Sequence, residues 1–151
     1  MLDEALTVIK MLWTQDAASF EGRFYRLDDA RCLPKPLQKP HPPVVVGGSG
    51  KKKMLRIVAK HADEWNTPGQ DPAEWAELNK VVDEHCAVVG RDPGEIRRSV
   101  QVFVHPTQPG QPEEQFAKLP QYEAAGCDHV VLSFYSPPSR EVLERLAPSR
   151  A

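Results

Sequence analysis

The chain has 151 residues and a formal net charge of −2, with 26% charged residues. This near balance of charge offers no electrostatic reason to bind nucleic acid, so we expect no nucleic-acid partner. No apolar run approaches the roughly 20 residues that span a bilayer, and residues 1–4 are unlike a signal peptide, so we expect no membrane partner. The three cysteines show no CxxC spacing, which favours a cytoplasmic protein and gives no support to a metal site.

Residues 1–43 predict a helix, a hairpin and a proline-rich connector. Apolar residues recur at helical spacing from Leu2 to Trp13. Residues 18–27 predict a short hairpin in which Gly22 takes a turn position with positive φ. The prolines of residues 33–43 then predict a stiff, extended connector.

Residues 44–151 predict four units of strand followed by helix. The first strand is the β-branched run from Val44 to Val46, which predicts burial on both faces, and the helix after it carries Met54, Leu55, Val58 and Ala59 on one side. Later strands are predicted at 62–67, 99–104 and 128–134. Helices are predicted at 71–89, at 112–125 and from Ser139 through Leu143 and Leu146, with a single turn at 92–95. This alternation indicates an α/β fold with a parallel sheet, either open or part of a barrel.

The turn formed by Gly47, Gly48, Ser49 and Gly50 joins the first of these strands to its helix. A strand that runs through a glycine turn into a helix directs backbone N–H groups and the positive end of the helix dipole towards one point, which suits a phosphate or carboxylate. The lysines at 51–53 add positive charge. The spacing fits neither the P-loop nor the Rossmann fingerprint, and the alternative is a tight bend without a ligand.

Seven short segments of the chain carry a resemblance to a known family. They are Leu12-Trp13-Thr14, Phe20-Glu21-Gly22-Arg23-Phe24-Tyr25, Pro34-Lys35-Pro36-Leu37-Gln38, Pro40-His41-Pro42-Pro43, Val46-Gly47-Gly48-Ser49-Gly50, Ala62-Asp63-Glu64-Trp65-Asn66 and Val89-Gly90-Arg91-Asp92-Pro93. In this order they closely resemble the C-terminal half of luciferase-like monooxygenases, especially the deazaflavin-dependent oxidoreductases. The resemblance covers essentially the whole chain.

The resemblance implies a partial TIM (β/α)8 barrel, with residues 1–151 as a single domain and a small hairpin insertion near the N-terminus. It implies that Gly47, Gly48, Ser49 and Gly50 hold the phosphate end of a cofactor, with Trp65 and Asn66 beside it. Coenzyme F420 is the favoured cofactor and FMN the alternative. The family usually has glycine where this chain has Glu64, a change expected to crowd the strand end or repel an anion.

Three further residues are candidates for a substrate pocket because they follow predicted strands at the end where barrel active sites lie. They are His105, Phe134 and Tyr135. Packing or a surface position is the alternative for each. No residue of the chain is assigned as a catalytic acid, base or nucleophile, and no histidine, cysteine or carboxylate has the spacing of a metal site.

The sequence leaves two functions open. One is the C-terminal part of a flavin- or F420-dependent oxidoreductase or monooxygenase that acts on a small organic substrate. The other is a non-catalytic half-barrel that binds an anionic ligand, or that assembles as a homodimer or with a complementary half-barrel subunit. Open sheet edges motivate the second, because exposed parallel strands require a partner.

Overall fold

The structure is a computed structural model that describes residues 1–69 and 71–144. The helices are α1 (Leu2–Thr14), α2 (Met54–His61), α3 (Pro72–Val89), α4 (Gln111–Ala117), α5 (Leu119–Ala124) and α6 (Arg140–Glu144), with one 3₁₀ turn at Pro93–Glu95. The strands are β1 (Ala18–Glu21), β2 (Arg26–Ala30), β3 (Val45–Gly47), β4 (Glu64–Pro68), β5 (Arg97–Val104) and β6 (His129–Phe134).

Strands β3 to β6 form one parallel sheet in the order β3-β4-β5-β6. Val46 pairs with Trp65, Asn66 with Ser99, and Val100 with Val130. Strands β1 and β2 form a separate antiparallel hairpin. Each parallel pair is joined through a helical connection, as βαβ units require. This confirms the α/β class and the partial barrel that the sequence predicted.

One face of the sheet packs against the helices and holds the hydrophobic core. Trp65 of β4 stacks on Trp75 of α3, with ring centroids 5.6 Å apart and planes at 20°. Tyr122 of α5 meets the edge of Trp75 at 6.3 Å. The remaining core side chains are mostly aliphatic, among them Val46, Leu55, Val58, Val82, Val100, Val102 and Val104.

The other face of the sheet, here called the concave face, carries the alternate residues of each strand. Successive side chains of a strand point to opposite faces, so Val45, Glu64, Asn66, Ser99 and His129 share this face. Val45 is 59% exposed. The expectation that the first strand is buried on both faces is therefore wrong, because among the described residues only one face of β3 is covered.

Helix α1 binds the hairpin through Glu4. Its carboxylate accepts hydrogen bonds from the backbone N–H groups of Arg23, at 3.1 Å, and Phe24, at 2.8 Å. Gly22 is not among the positive-φ residues, so that part of the hairpin prediction is wrong. A Cβ at Gly22 would lie 2.5 Å from Glu4 Oε2 and 2.6 Å from Phe20 Cε1, and this close approach of two side chains favours glycine.

The helix caps follow the sequence closely in α3. Asp71 accepts a hydrogen bond from Ala73 N at 3.1 Å, and Gly90 ends the helix in the left-handed conformation at φ 73°. Ser139 caps α6 through Val142 N. Leu146, the predicted end of that helix, lies outside the described residues.

The single helix expected at 112–125 is instead two helices that meet at Lys118. Pro120 explains the break. A proline has no N–H to donate to the carbonyl four residues earlier, and its ring collides with that carbonyl, so a new helix starts around it. Within the described residues, no helix is long and apolar enough to cross a membrane.

Candidate functional site

The loop that follows β3 depends on Gly48 for its shape. Gly48 has φ +127°, and its N–H donates to the Asn66 carbonyl at 2.9 Å. A Cβ there would lie 3.0 Å from Met54 Cγ, so glycine is needed both for the backbone conformation and for the space. Gly47 and Gly50 are not among the positive-φ glycines, and both are exposed. Of the three glycines, only Gly48 is therefore required by its backbone conformation.

Five consecutive backbone N–H groups of the loop, at residues 49–53, have no hydrogen-bond acceptor within the described part of the chain. The Gly50 carbonyl accepts from Met54 N and Leu55 N, both at 3.1 Å, and so starts α2. The lysines at 51–53 are exposed. Unpaired amides at a helix start, with cationic side chains beside them, are the arrangement that binds phosphate groups.

Two side chains hold this loop from the helix side of the sheet. Trp65 Nε1 donates to the Gly48 carbonyl at 2.9 Å, and His85 of α3 donates from Nε2 to the Lys51 carbonyl at 2.7 Å. Trp65 is fully buried and presents no surface to a ligand here, so it supports the loop from behind. The role of His85 was missed from sequence, because no local pattern connects it to a loop 34 residues away.

Asn66 lies beside the loop on the concave face. It pairs with Gly47 across the strands, and its side-chain Nδ2 donates to Ser99 Oγ at 3.0 Å. It is half-buried. Of the two residues predicted beside the cofactor at this strand, Asn66 is therefore the one that faces the open side of the sheet.

Glu64 begins β4 and is held by one group from the neighbouring strand β5 and one from β6, the next strand beyond it. Its Oε1 lies 3.0 Å from His129 Nδ1, and its Oε2 lies 3.9 Å from Arg97. Partial burial opposes ionisation, but hydrogen bonds from Ser99 and His129 and the nearby Arg97 charge hold the pKa of Glu64 below its ordinary value. Glu64 thus lies at the start of β4 and not at the strand end where crowding was expected, and it forms a hydrogen-bonded pair that the sequence did not reveal.

The predicted pocket residues divide between the two faces. The rings of His105 and Tyr135 stack in parallel at 3.8 Å and 7°, and Tyr135 is 63% exposed. The backbone N–H of His105 donates to Gln111 Oε1 at 2.7 Å. Phe134 is half-buried and packs against the core on the helix side. The structure therefore brings His105 and Tyr135 together at the carboxyl ends of β5 and β6, and places Phe134 in the core packing.

A depression of about 380 Å³ borders the loop on the side of α3. Ser49, Lys51, Glu74, Glu77 and Leu78 line it. The hydrogen bond from Lys80, together with its charge and that of Lys51, holds the pKa of Glu77 below its ordinary value. No group of three or more histidine, cysteine or carboxylate side chains in residues 1–69 and 71–144 is arranged to hold a metal ion.

These features define the class of the protein as a partial (β/α) barrel with an exposed amide-rich loop after its first parallel strand. The chain belongs to the luciferase-like monooxygenase family, whose profile matches residues 1–141. An uncharacterized protein of Mycobacterium tuberculosis is 38% identical over 92 residues, which are 61% of this chain and 32% of that protein.

The names of two further relatives state different cofactors. The FMNH2-dependent dimethylsulfone monooxygenase of Pseudomonas putida is 33% identical over 102 residues, 68% of this chain and 27% of the relative. The F420-dependent glucose-6-phosphate dehydrogenase of Microbacterium testaceum is 32% identical over 109 residues, 70% of this chain and 32% of the relative. The matched part is thus between about a quarter and a third of the length of these relatives.

Solved structures share the fold. An F420-dependent secondary alcohol dehydrogenase in complex with an F420-acetone adduct matches with a TM-score of 0.79 and 18% identity, over 95% of this chain and 58% of that one. The coenzyme F420-dependent tetrahydromethanopterin reductase from Methanopyrus kandleri matches with a TM-score of 0.76 and 14% identity, over 95% and 60%. At this identity the match concerns the fold alone, and it covers somewhat more than half of each structure.

Proposed function

We propose that the chain is the phosphate-binding part of a luciferase-like oxidoreductase that uses coenzyme F420, or alternatively FMN, to act on a small organic substrate. The single observation that supports this most is the run of unpaired N–H groups at residues 49–53, next to the exposed Gly47 and Gly50. A Cβ added at Gly47 would come no closer than 3.9 Å to a neighbouring atom, so the loop leaves room for a bound group.

In this proposal the residues of the chain place the cofactor and shield it from water. The loop Gly47–Gly50 and the following amides would bind the phosphate, and Asn66 would face the adjoining part of the molecule. The cofactor, when bound, would supply hydride transfer. His105 and Tyr135 would present a flat aromatic surface at the rim, suited to a planar ring or an apolar substrate. No residue of the chain is given the role of acid or base.

The affinity of the protein for F420, FMN and inorganic phosphate, measured separately by calorimetric titration, tests this proposal. Gly50→Val places a branched side chain among the free amides. Its Cβ alone would lie 3.4 Å from Met54 Cβ, so the two further methyl groups have little space. We expect the affinity for both cofactors to fall at least tenfold, roughly the loss of one charge-assisted hydrogen bond. Unchanged affinity for both cofactors would rule out the loop as their phosphate site.

Charge offers a matched control for the same experiment. Lys51→Gln removes a cation of the loop, whereas Lys39→Gln removes an exposed cation from the connector. We expect only Lys51→Gln to weaken phosphate binding and to make the affinity depend less on salt. At 0.1 M salt, screening limits the effect of a charge to about 10 Å, and Lys51 belongs to the loop itself. Equal effects of the two substitutions would indicate nonspecific attraction.

A second candidate function is assembly of the half-barrel with another half-barrel, either a second copy or a different subunit. It rests on the two edges of the four-stranded sheet, β3 and β6, each of which pairs on one side only within the described residues, and on the exposure of Val45. Sedimentation velocity at micromolar concentration tests it. A dimer that Val45→Lys dissociates would support it, and a folded monomer would refute self-assembly.

A further inference from the structure

Two hydrogen-bonded pairs of polar side chains lie on the concave face, across three strands. His129 of β6 contacts Glu64 of β4 at 3.0 Å. Ser99 Oγ of β5 accepts from Asn66 Nδ2 of β4 at 3.0 Å. The inner face of a (β/α) barrel is ordinarily filled by bulky branched apolar residues. Polar pairs in this place therefore have a role other than packing.

The orientation of the Asn66 amide follows from counting donors at Ser99. A serine hydroxyl has one proton to donate and two lone pairs to accept. The Ser99 proton goes to the Trp65 carbonyl at 2.9 Å. A carbonyl cannot donate, so this bond uses the one proton that the serine has. Ser99 can therefore only accept from Asn66, which turns Nδ2 inward and Oδ1 outward.

The outward Oδ1 accepts no hydrogen bond from the part of the chain that the structure describes. Asn66 is half-buried, and its own backbone carbonyl holds the N–H of Gly48. The free oxygen thus lies on the residue that anchors the loop. The loop presents donors, which suit a phosphate, whereas this oxygen is an acceptor and suits a different part of the same ligand.

We propose that Ser99 is a positioning residue that fixes the Asn66 amide, so that Oδ1 accepts a hydrogen bond from a hydroxyl of the sugar-alcohol chain that carries the cofactor phosphate. This inference rests on the proposed function and extends it to a second contact. It predicts that the site binds a phosphate attached to a hydroxyl-bearing chain more tightly than a free phosphate. The amides of the loop alone would not distinguish the two ligands.

The test compares FMN with inorganic phosphate in wild-type protein and in Ser99→Ala. Loss of the serine oxygen frees the Asn66 amide to rotate, so we expect FMN to bind about five- to tenfold more weakly, the fold-change of one ordinary hydrogen bond. Inorganic phosphate, which does not reach Oδ1, should bind within about twofold of wild type by the same principle. Ser99→Thr, which keeps the hydroxyl, should restore most of the FMN affinity.

A matched control lies on the same face of the sheet. Gln101 Nε2 donates to Ser133 Oγ at 2.7 Å, so Ser133→Ala removes the same kind of amide-to-serine bond from the pair β5 and β6, away from the loop. We expect Ser133→Ala to leave FMN binding unchanged. Asn66→Ala should weaken FMN as much as Ser99→Ala does. The double variant should add no further loss, because the serine acts only through the asparagine.

A spectroscopic measurement tests the orientation without any ligand. In the ¹H–¹⁵N spectrum, the side-chain amide protons of Asn66 should exchange slowly with solvent in wild-type protein and faster in Ser99→Ala. The failures are distinguishable. If wild-type protein binds neither cofactor, the proposed function falls and this inference with it. If wild type binds FMN or F420 but Ser99→Ala binds the same cofactor equally well, or if Asn66 exchange is unchanged, only this inference is refuted.

Discussion

The hydrogen bond from Trp65 to the loop leads us to predict a difference in stability between two variants, because the neighbouring Trp75 offers a matched control. Both indoles are fully buried, and they stack on each other. Trp65 Nε1 donates to the Gly48 carbonyl at 2.9 Å, whereas Trp75 Nε1 has no hydrogen-bond partner among the described residues. Replacing either by phenylalanine removes a similar part of the ring, but only Trp65→Phe removes a hydrogen bond.

The magnitudes follow from these contacts. The smaller ring should cost about 1–2 kcal/mol of unfolding free energy in each variant, less than the 3–5 kcal/mol of truncation to alanine. The lost hydrogen bond should add about 1 kcal/mol in Trp65→Phe alone. For a chain of this size that difference lowers the melting temperature by roughly 2–4 °C more than in Trp75→Phe.

Urea unfolding followed by circular dichroism, with equal m-values in the three proteins, measures this difference. A titration with FMN then asks whether the loop itself has changed. We expect weaker FMN binding in Trp65→Phe and unchanged binding in Trp75→Phe. If Trp65→Phe proves no less stable than Trp75→Phe and binds FMN equally well, the indole does not hold the loop, and the reasoning is refuted.

Three further predictions concern the N-terminal segment and the concave face. Gly22→Ala should destabilise the protein by about 1–2 kcal/mol in urea unfolding, since its Cβ would meet Glu4 Oε2 at 2.5 Å and Phe20 Cε1 at 2.6 Å. Glu4→Ala in the same protein should remove the first of these clashes and reduce that cost, and strict additivity would contradict a clash with Glu4. Lys35→Met should lower the free energy of unfolding by about 1 kcal/mol, because Lys35 Nζ donates to the carbonyls of Leu12 and Gln15 at the end of α1. An unchanged midpoint of urea unfolding would show that these bonds contribute nothing. The lowered pKa of Glu64 means that its ionised form stabilises the fold above the pKa of an unfolded glutamate, about 4.3, and that this contribution is lost as pH falls through the lower folded value. Between pH 5 and pH 3 Glu64→Gln should therefore lose less stability than wild type, and parallel pH profiles would contradict this assignment.

Local patterns in the sequence were enough for most of the secondary structure. The strand-and-helix alternation, the Asp71 cap and the Gly90 stop all depend on residues close together in the chain, where turn chemistry and hydrophobic period act directly. The turn at Gly47–Gly50 was likewise identified from its glycines. The family followed from the order of short segments, which does not depend on tertiary contacts. The break at Pro120 was also encoded locally, although the longer helix was expected there.

The tertiary structure alone decided what surrounds these elements. Gly22 faces the Glu4 carboxylate of α1 and the ring of Phe20, which leave little room for a Cβ, and Glu64 pairs with His129, 65 residues away on the next strand but one. Trp65 faces the helices and Asn66 the open side, a division that depends on which face of β4 the core covers. These contacts join residues far apart in the chain, so no local period or spacing records them, and they exist only once the sheet has formed.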